Sequence, residues 1–250
     1  MSSENPYAAP EPGADLPVSQ EAGQVNLAAF ERPARLVTAA RVVLSLYGLV
    51  LIASVGSAML QLQFIQNIIA GNVTPTLQQE ADANDRREIA VTVAIGITFL
   101  LSAIVTLRLL YKLRANVGYL GATGLDSTPG WTVGWFFVPI ANLIKPPSAV
   151  SQVWKASRNP DRWEEQATPM LVAIWWASWL VSILLSRIET SMMRVGDPTL
   201  DQLQTASMLT LVSRLVILVA TVAYAFLLSG AARDQQETFE RMSTASPEMN

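Results

Sequence analysis

The sequence predicts an all-α integral membrane protein with four transmembrane helices. A Trp/Pro-rich helical element, re-entrant or interfacial, is predicted between the second and third spans. The 250 residues are 51% apolar and only 15% charged, whereas soluble domains are roughly 25% charged. Mean hydropathy is positive, at +0.32. Two runs, 42–60 and 89–107, each contain 19 residues without a charge, close to the roughly 20 that cross a bilayer as a helix.

Residues 1–34 are expected to form a disordered, proline-rich cytoplasmic tail. The first 30 residues carry four prolines, four carboxylates and no lysine or arginine, so they bury too little apolar surface to fold alone. The stretch also lacks the basic start and adjoining apolar core of a signal peptide, so we do not expect one here. The membrane domain is therefore predicted to occupy residues 35–232.

Four membrane spans are predicted within this domain, at about 36–62, 88–110, 169–187 and 206–229. The third has the shortest uncharged core, 17 residues from 170 to 186, and is rich in tryptophan. Tryptophans at these positions suit either an interfacial belt or contacts between helices. The fourth span is long enough to cross but contains Arg214. Residues 233–250 are expected to form a second disordered cytoplasmic tail.

Lysine and arginine counts predict the orientation, because positive residues favour the cytoplasmic side. With four spans and the amino terminus inside, twelve of the basic residues lie inside, four lie outside and Arg214 lies within the membrane. We therefore expect a multi-pass protein of the cell membrane with both termini cytoplasmic.

The stretch PGWTVGWFFVPIANLIKPP, residues 129–147, is too apolar for an ordinary loop. A fifth span here would make the charge count eight against eight and remove the bias. Residues 131–144 would also reach only about 21 Å as a helix. We therefore predict that the stretch dips in and returns, with a break near Pro139 and Asn142. A second helix is expected at about 147–157, with one apolar and one polar face as an interfacial helix requires.

These residues resemble the signature of a bacterial multi-pass membrane family known as domain of unknown function 4328. The matching segments are Pro129-Gly130-Trp131, Gly134-Trp135-Phe136-Phe137-Val138-Pro139, Asn142-Leu143, Lys145-Pro146 and Trp154-Lys155-Ala156-Ser157. The distinctive motifs lie within 108–158, and the order of spans agrees over about 35–230. The resemblance implies a multi-pass membrane fold and carries no assigned activity.

The motif region, 129–158, supplies the candidate functional residues. They are Trp131, Gly134, Trp135, Pro139, Asn142, Lys145, Pro146 and Trp154. The glycine can serve close approach, the tryptophans can anchor at headgroups and the prolines can set a kink. Asn142 is expected to satisfy carbonyls released at Pro139 or to contact a ligand, because an amide at membrane depth needs partners. Lys145 is expected to extend toward phosphate headgroups.

Arg214 is the other candidate, because a charge inside a span is costly and is usually paired or faces a cavity. By helical rise it lies roughly 10 Å below the outer surface. It is expected either to extend outward or to pair with Glu88 or Glu189, near the outer ends of spans two and three. A substrate or ion site is the alternative.

The chain has no cysteine and no histidine, so thiolate chemistry, disulfides and the commonest metal ligands and proton shuttle do not arise. No nucleophile beside a base and no phosphate-binding loop is found. We therefore expect no catalytic, cofactor-binding or metal site and no cofactor, and the protein is not expected to be an enzyme.

The function predicted first is a non-enzymatic interaction or scaffold protein that uses the PGWxxGWFFVPxxNLxKP element. Its expected partners are the lipid bilayer, including anionic lipid, and a membrane protein or a second copy of the chain; nucleic acid is not expected. The connection 108–168 holds seven basic and four acidic residues, as a surface for anionic lipid requires. The alternative is a small oligomeric transporter or channel in which the broken element lines a path.

Overall fold

A computed structural model gives the fold of this protein and describes residues 25–72, 74–194 and 198–245. Within these ranges the chain forms α-helices and short 3-10 helices and contains no strand. The all-α class is therefore confirmed. The α-helices are α1 Ala34–Ile69, α2 Leu77–Tyr119, α3 Pro129–Gly134, α4 Lys145–Arg158, α5 Met170–Met193 and α6 Leu200–Ala245.

Four of these helices, α1, α2, α5 and α6, are long and apolar enough to cross a membrane. This confirms the four predicted spans, with α3 and α4 between the second and the third. Helices α1, α2 and α6 extend beyond the predicted spans at both ends, because their polar terminal turns continue the helix outside the apolar core.

Glycine sets where α1 and α2 stop. Gly71 and Gly121 have φ values of 76° and 94°, which most other residues adopt only with strain. In both helices the next amide reaches back five residues, from Asn72 to the Asn67 carbonyl and from Ala122 to the Val117 carbonyl. This is the Schellman pattern, which satisfies the last carbonyls and turns the chain out of the helix.

The spans pack in the spatial order α2, α1, α6, α5. Extensive interfaces join α1 to α2, α1 to α6 and α5 to α6, whereas α2 and α5 have no extensive interface with each other. A cleft therefore separates α2 from α5. We call the end of the bundle that carries residues 120–168 the motif end and the opposite end the far end. At the motif end, α4 packs mainly on α6 and also on α2 and α5.

The prediction of a disordered tail from residue 233 was wrong for the described part of that segment. Helix α6 continues without interruption to Ala245. Asp234, Gln235 and Thr238 are buried on this extension, because they face α2 and α4 and form hydrogen bonds there. The sequence shows only polar residues after the last span, and their partners are distant in the chain.

The amino-terminal tail is also shorter than predicted, because residues 25–34 are structured. The Asn26 amide donates to the Tyr119 carbonyl at 2.8 Å, and the Phe30 ring stacks on Phe239 with centroids 4.5 Å apart. A 3-10 helix, Leu27–Ala29, lies between these two contacts. The predicted tail at residues 1–24 lies outside the described residues.

Candidate functional site

The candidate site is the motif element, a broken helical segment at the motif end of the bundle. It consists of α3, a 3-10 helix at Trp135–Phe137, a turn through Val138 to Ile140, a second 3-10 helix at Ala141–Leu143, and α4. The segment leaves α3 and returns into α4 without forming a long helix. The predicted break near Pro139 and Asn142 is therefore present.

The start of α3 follows from its first residues. The Thr128 hydroxyl oxygen accepts a hydrogen bond from the Trp131 amide at 3.3 Å, and Pro129 occupies the first turn, where no amide donor is needed. Gly134 lies under the Trp131 ring. A Cβ atom at position 134 would approach Trp131 Cε3 to 3.2 Å, so a small residue is needed for this ring position.

Trp135 joins the two halves of the motif element. Its Nε1 donates to Ser127 Oγ at 2.8 Å, and its ring centroid lies 4.6 Å from that of Trp131. The Lys145 ammonium lies 5.7 Å from the Trp135 ring centroid, within the range of a cation–π contact. Four of the predicted residues therefore meet in one cluster: Trp131, Gly134, Trp135 and Lys145.

The break is stabilised differently from the prediction for Asn142. The Asn142 backbone amide donates to the Val138 carbonyl at 2.7 Å, and Trp176 Nε1 of α5 donates to the Leu143 carbonyl at 2.9 Å. The Asn142 side chain does not cap these carbonyls. Its Oδ1 is buried without a hydrogen-bond partner among the described residues. Sequence reasoning missed Trp176, and its only signal was the cluster of tryptophans in the third span.

An apolar crest projects from the motif element around Pro139, which is itself exposed. Ile140 is 81% exposed and Phe137 is 72% exposed. Val138, Leu143 and Ile144 are the other exposed large apolar side chains of this crest. Apolar side chains concentrated in this way are normally covered by a membrane or a partner.

Helix α4 is more deeply packed than an interfacial helix. Val150, Val153 and Ser157 form the expected apolar face and are buried, but Ser151, on the face predicted to be polar along with Gln152, Lys155 and Arg158, is buried as well. The reason is that α4 contacts three other helices, so protein covers more than one face. Pro146 is buried in the first turn of α4, where a proline suits the helix start.

Trp154 lies on α4 away from the cluster of Trp131 and Trp135. Its Nε1 would lie 3.5 Å from a Cβ atom at Gly230 of α6, so the indole packs against that small residue. The Arg158 guanidinium lies 4.6 Å from the Trp154 ring centroid and forms an ion pair with Asp234 at 3.3 Å. Trp154 thus contributes to the junction of α4 and α6.

A buried hydrogen-bond network centred on Gln235 joins α2, α4 and α6. Gln235 is completely buried, and its Nε2 donates to the Leu113 carbonyl at 2.8 Å and to Ser157 Oγ at 2.9 Å. Its Oε1 accepts from Asn116 Nδ2 at 3.2 Å, and that amide also donates to the Glu31 carbonyl at 2.9 Å. Sequence reasoning missed this network, because none of these polar residues stands out in its own segment.

Arg214 lies toward the far end and does not contact the motif element. Its Nη2 pairs with Glu88 Oε2 at 3.2 Å, and its Nη1 donates to the Ser54 carbonyl at 2.7 Å. The two charged side chains are 12% and 19% exposed. Of the two expected partners, the structure therefore selects Glu88 over Glu189. Ser57 also donates to Glu88 and accepts from Arg87 Nε at 2.9 Å.

Two cavities lie one above the other inside the bundle. The motif-end cavity, about 290 Å³, is lined mainly by aromatic and aliphatic side chains, including Phe136 and Trp176. The far-end cavity, about 450 Å³, is more polar and includes Arg214. Tyr47 and Ile217 line both cavities, so these two side chains separate them.

In the part of the chain that the structure describes, no three carboxylate, cysteine or histidine side chains are grouped to hold a metal ion. Toward the far end, the charges of Arg214 and Glu88 are paired with each other. The arrangement can therefore bind apolar and hydrogen-bonding groups at the motif end.

Comparison with known proteins identifies the family. The family model described as Domain of unknown function (DUF4328) matches residues 74–233, a range that contains α2 to α5 and most of α6. No curated protein and no solved structure matches the chain significantly. Because the family model matches more than half of the chain, this four-span membrane protein belongs to the DUF4328 family.

Proposed function

We propose that this protein is a non-enzymatic membrane protein that uses the motif element as an interaction platform within one leaflet. The observation that carries the proposal is the apolar crest, where Phe137 and Ile140 are largely exposed at the end of a membrane bundle. Water is an unfavourable neighbour for such a surface. The neighbour proposed here is lipid, because the crest lies between the ends of membrane-spanning helices α2 and α5 in the chain.

Anionic lipid is the proposed partner beside the crest. Lys145 is exposed at its edge and forms no salt bridge with a described residue. The connection from 108 to 168 has seven basic and four acidic residues, and each basic residue near an anionic surface contributes about 1 kcal/mol of attraction. The apolar crest then enters the acyl region while Lys145 contacts headgroup phosphate.

Accessibility of a spin label at the crest tests the platform. The chain has no cysteine, so Ile140→Cys and the exposed control Thr123→Cys can each be labelled singly and reconstituted in vesicles. The label at 140 is expected to collide with oxygen more than with a water-soluble nickel chelate, and the label at 123 is expected to show the reverse. Adding phosphatidylglycerol to the vesicles is expected to move the label at 140 deeper into the bilayer, and Lys145→Gln is expected to abolish this shift in depth.

The outcomes of this experiment separate the possible neighbours of the crest. Contact of the 140 label with the nickel chelate would place the crest in water and would overturn the proposal. Low accessibility to both reagents would mean that protein covers the crest, either a partner or a second copy. No effect of phosphatidylglycerol would remove the anionic lipid from the proposal while leaving insertion intact.

The orientation proposed from the charge count places the motif end and both termini in the cytoplasm. Single cysteines at Thr76, Thr123, Asp161 and Asp201 test it, because all four positions are exposed. In intact cells an impermeant thiol reagent is expected to label positions 76 and 201 and to leave positions 123 and 161 unlabelled. The reverse pattern would invert the topology. Labelling at 161 with protection at 123 would mean that the motif element crosses the membrane.

A small transporter or channel is the second candidate, and the two stacked cavities favour it. Only Tyr47 and Ile217 line both cavities, so their displacement would join the polar far-end cavity to the apolar motif-end cavity. Purified protein in vesicles that conducts an ion or solute, and loses this flux when Ile217 is replaced by tryptophan, would favour transport over the platform.

A further inference from the structure

The motif-end cavity has the composition of a binding site for an apolar ligand. Eight aromatic side chains contribute to its walls, and the motif element contributes Phe136, Phe137 and Asn142. Its volume of about 290 Å³ lies at the lower end of the range for small-molecule sites. The cavity therefore combines a largely aromatic wall with few polar groups.

The serine and threonine side chains of its wall are already satisfied by the backbone. Ser102 donates to the Val43 carbonyl at 3.1 Å, Thr106 to the Ser102 carbonyl at 2.7 Å, and Thr221 to the Ile217 carbonyl at 2.8 Å. The first of these bonds joins α2 to α1, the other two lie within one helix, and all three use the hydroxyl protons. Among the remaining polar groups of the wall, which also include the Tyr47 hydroxyl and the Trp175 and Trp179 indoles, Asn142 and Tyr224 carry the fully buried oxygen atoms.

Both of these groups are buried without a partner in the described chain. Asn142 Oδ1 has no hydrogen-bond partner, and the Tyr224 hydroxyl makes no hydrogen bond of normal geometry, although it lies beside Thr106, whose own proton goes to a carbonyl. A buried polar group without a partner costs about 1–3 kcal/mol. Two such groups in one cavity are a strong sign of a missing hydrogen-bonding partner.

The cavity is accessible from the bilayer through the cleft between α2 and α5. Phe99 and Leu100 of α2 and Phe137 of the motif element line the cavity and are also exposed on the outer surface. A hydrocarbon chain can enter between these side chains without leaving the membrane. Water alone is a poorer occupant, because it could bond to the two buried polar groups but would leave the surrounding apolar wall in contact with water.

We propose that the motif-end cavity binds a lipid-derived amphiphile with a hydrocarbon body and a hydroxyl group. The hydrocarbon lies against the aromatic wall, and the hydroxyl bonds to Asn142 and Tyr224. A hydroxyl both donates and accepts, so it satisfies the amide in either orientation and the phenol in either role. This site is uncharged and separate from the headgroup contact of Lys145, so it goes beyond the proposed platform.

Two photoactivatable probes test the site in lipid nanodiscs. The first is dodecanol with a diazirine in its chain, and the second is the same chain without the hydroxyl. The alcohol is expected to label segments 99–107 and 136–142 saturably, and unlabelled dodecanol is expected to compete. The alkane is expected to bind about 25-fold more weakly, because it makes neither of the two hydrogen bonds and each contributes about fivefold.

Matched variants separate hydrogen bonding from simple partition into the cavity. Asn142→Leu is expected to weaken labelling by the alcohol about fivefold and to leave labelling by the alkane unchanged, whereas Asn67→Leu, at an exposed far-end position, is expected to change neither. Tyr224→Phe gives a second test if Asn142→Leu does not fold. Ala103→Phe is expected to fill the cavity and exclude both probes.

Equal affinity for the two probes would overturn the proposal. It would also be overturned if neither Asn142→Leu nor Tyr224→Phe reduced labelling of the protein by the alcohol. Because neither probe is charged, Lys145→Gln is expected to leave both affinities unchanged. Failure of this site is thus distinguishable from failure of the platform, which is measured by the depth of the label at Ile140.

Discussion

Replacement of Gln235 by leucine is expected to lower the free energy of unfolding by about 3 kcal/mol. The side chain makes three hydrogen bonds that join α2, α4 and α6, and it has no access to water. Leucine would leave the Leu113 carbonyl without its side-chain donor and one of the two Asn116 N–H groups without an acceptor, and each buried group left unsatisfied costs about 1–3 kcal/mol. Titration with SDS in mixed micelles, followed by circular dichroism, measures the loss.

The adjacent glutamine provides the control. Gln236 is partly exposed and bonds only with Glu240 on the same helix, so Gln236→Leu is expected to change stability by less than about 0.5 kcal/mol. Equal effects of the two substitutions would show that the network around Gln235 contributes little. Hydrogen exchange in α4 adds a local measure, because Gln235→Leu is expected to speed exchange there.

Replacement of Glu88 by leucine is expected to destabilise the protein more than replacement of Arg214. Without Glu88, the guanidinium keeps only the Ser54 carbonyl and remains a charge within the bundle, a loss of about 3 kcal/mol. Without Arg214, Glu88 keeps the hydrogen bond from Ser57 and lies 3.9 Å from Arg87. Arg214→Leu is therefore expected to cost about 1 kcal/mol or less.

A double-mutant cycle isolates this pair. The Glu88→Leu/Arg214→Leu double variant is expected to regain most of the stability that Glu88→Leu loses, because no unpaired charge remains. Glu189→Leu is the matched control, since Arg214 pairs with Glu88 in the structure. Additive effects at Glu88 and Arg214, or a larger loss at Glu189, would contradict the pairing.

The main features of the membrane fold could be predicted from composition and run length. Uncharged runs such as 42–60 and 89–107 are explained by helices that span a membrane. The positions of prolines and glycines indicate the break at Pro139. The break needed no long-range information, because a proline interrupts a helix through its own ring and missing amide proton. Glu88 could be named as a partner of Arg214, because few acidic residues lie near the outer ends of the spans.

Features that depend on packing between distant segments could not be predicted. The extension of α6 to Ala245 is polar in sequence, and it forms a helix with buried residues because Ser157 and Leu113 supply partners 78 and 122 residues away. Asn142 illustrates the same limit at the site. Its position in the motif was visible, but the sequence does not show that Trp176 donates to the Leu143 carbonyl from another helix, or that Asn142 Oδ1 has no donor among the described residues.

The continuity of α6 has a mechanical consequence. Its 46 residues extend about 69 Å at roughly 1.5 Å per residue, with a single glycine and no proline. The ion pair at Arg214 and the network at Gln235 are thus fixed to the same stiff rod, about 32 Å apart by helical rise. At Gly230, the single glycine of this helix, the indole of Trp154 packs where a side chain would otherwise lie. A tilt of α6 imposed at one face of the membrane is therefore transmitted to the other face, and the indole of Trp154 supports the helix at Gly230, where it is most flexible.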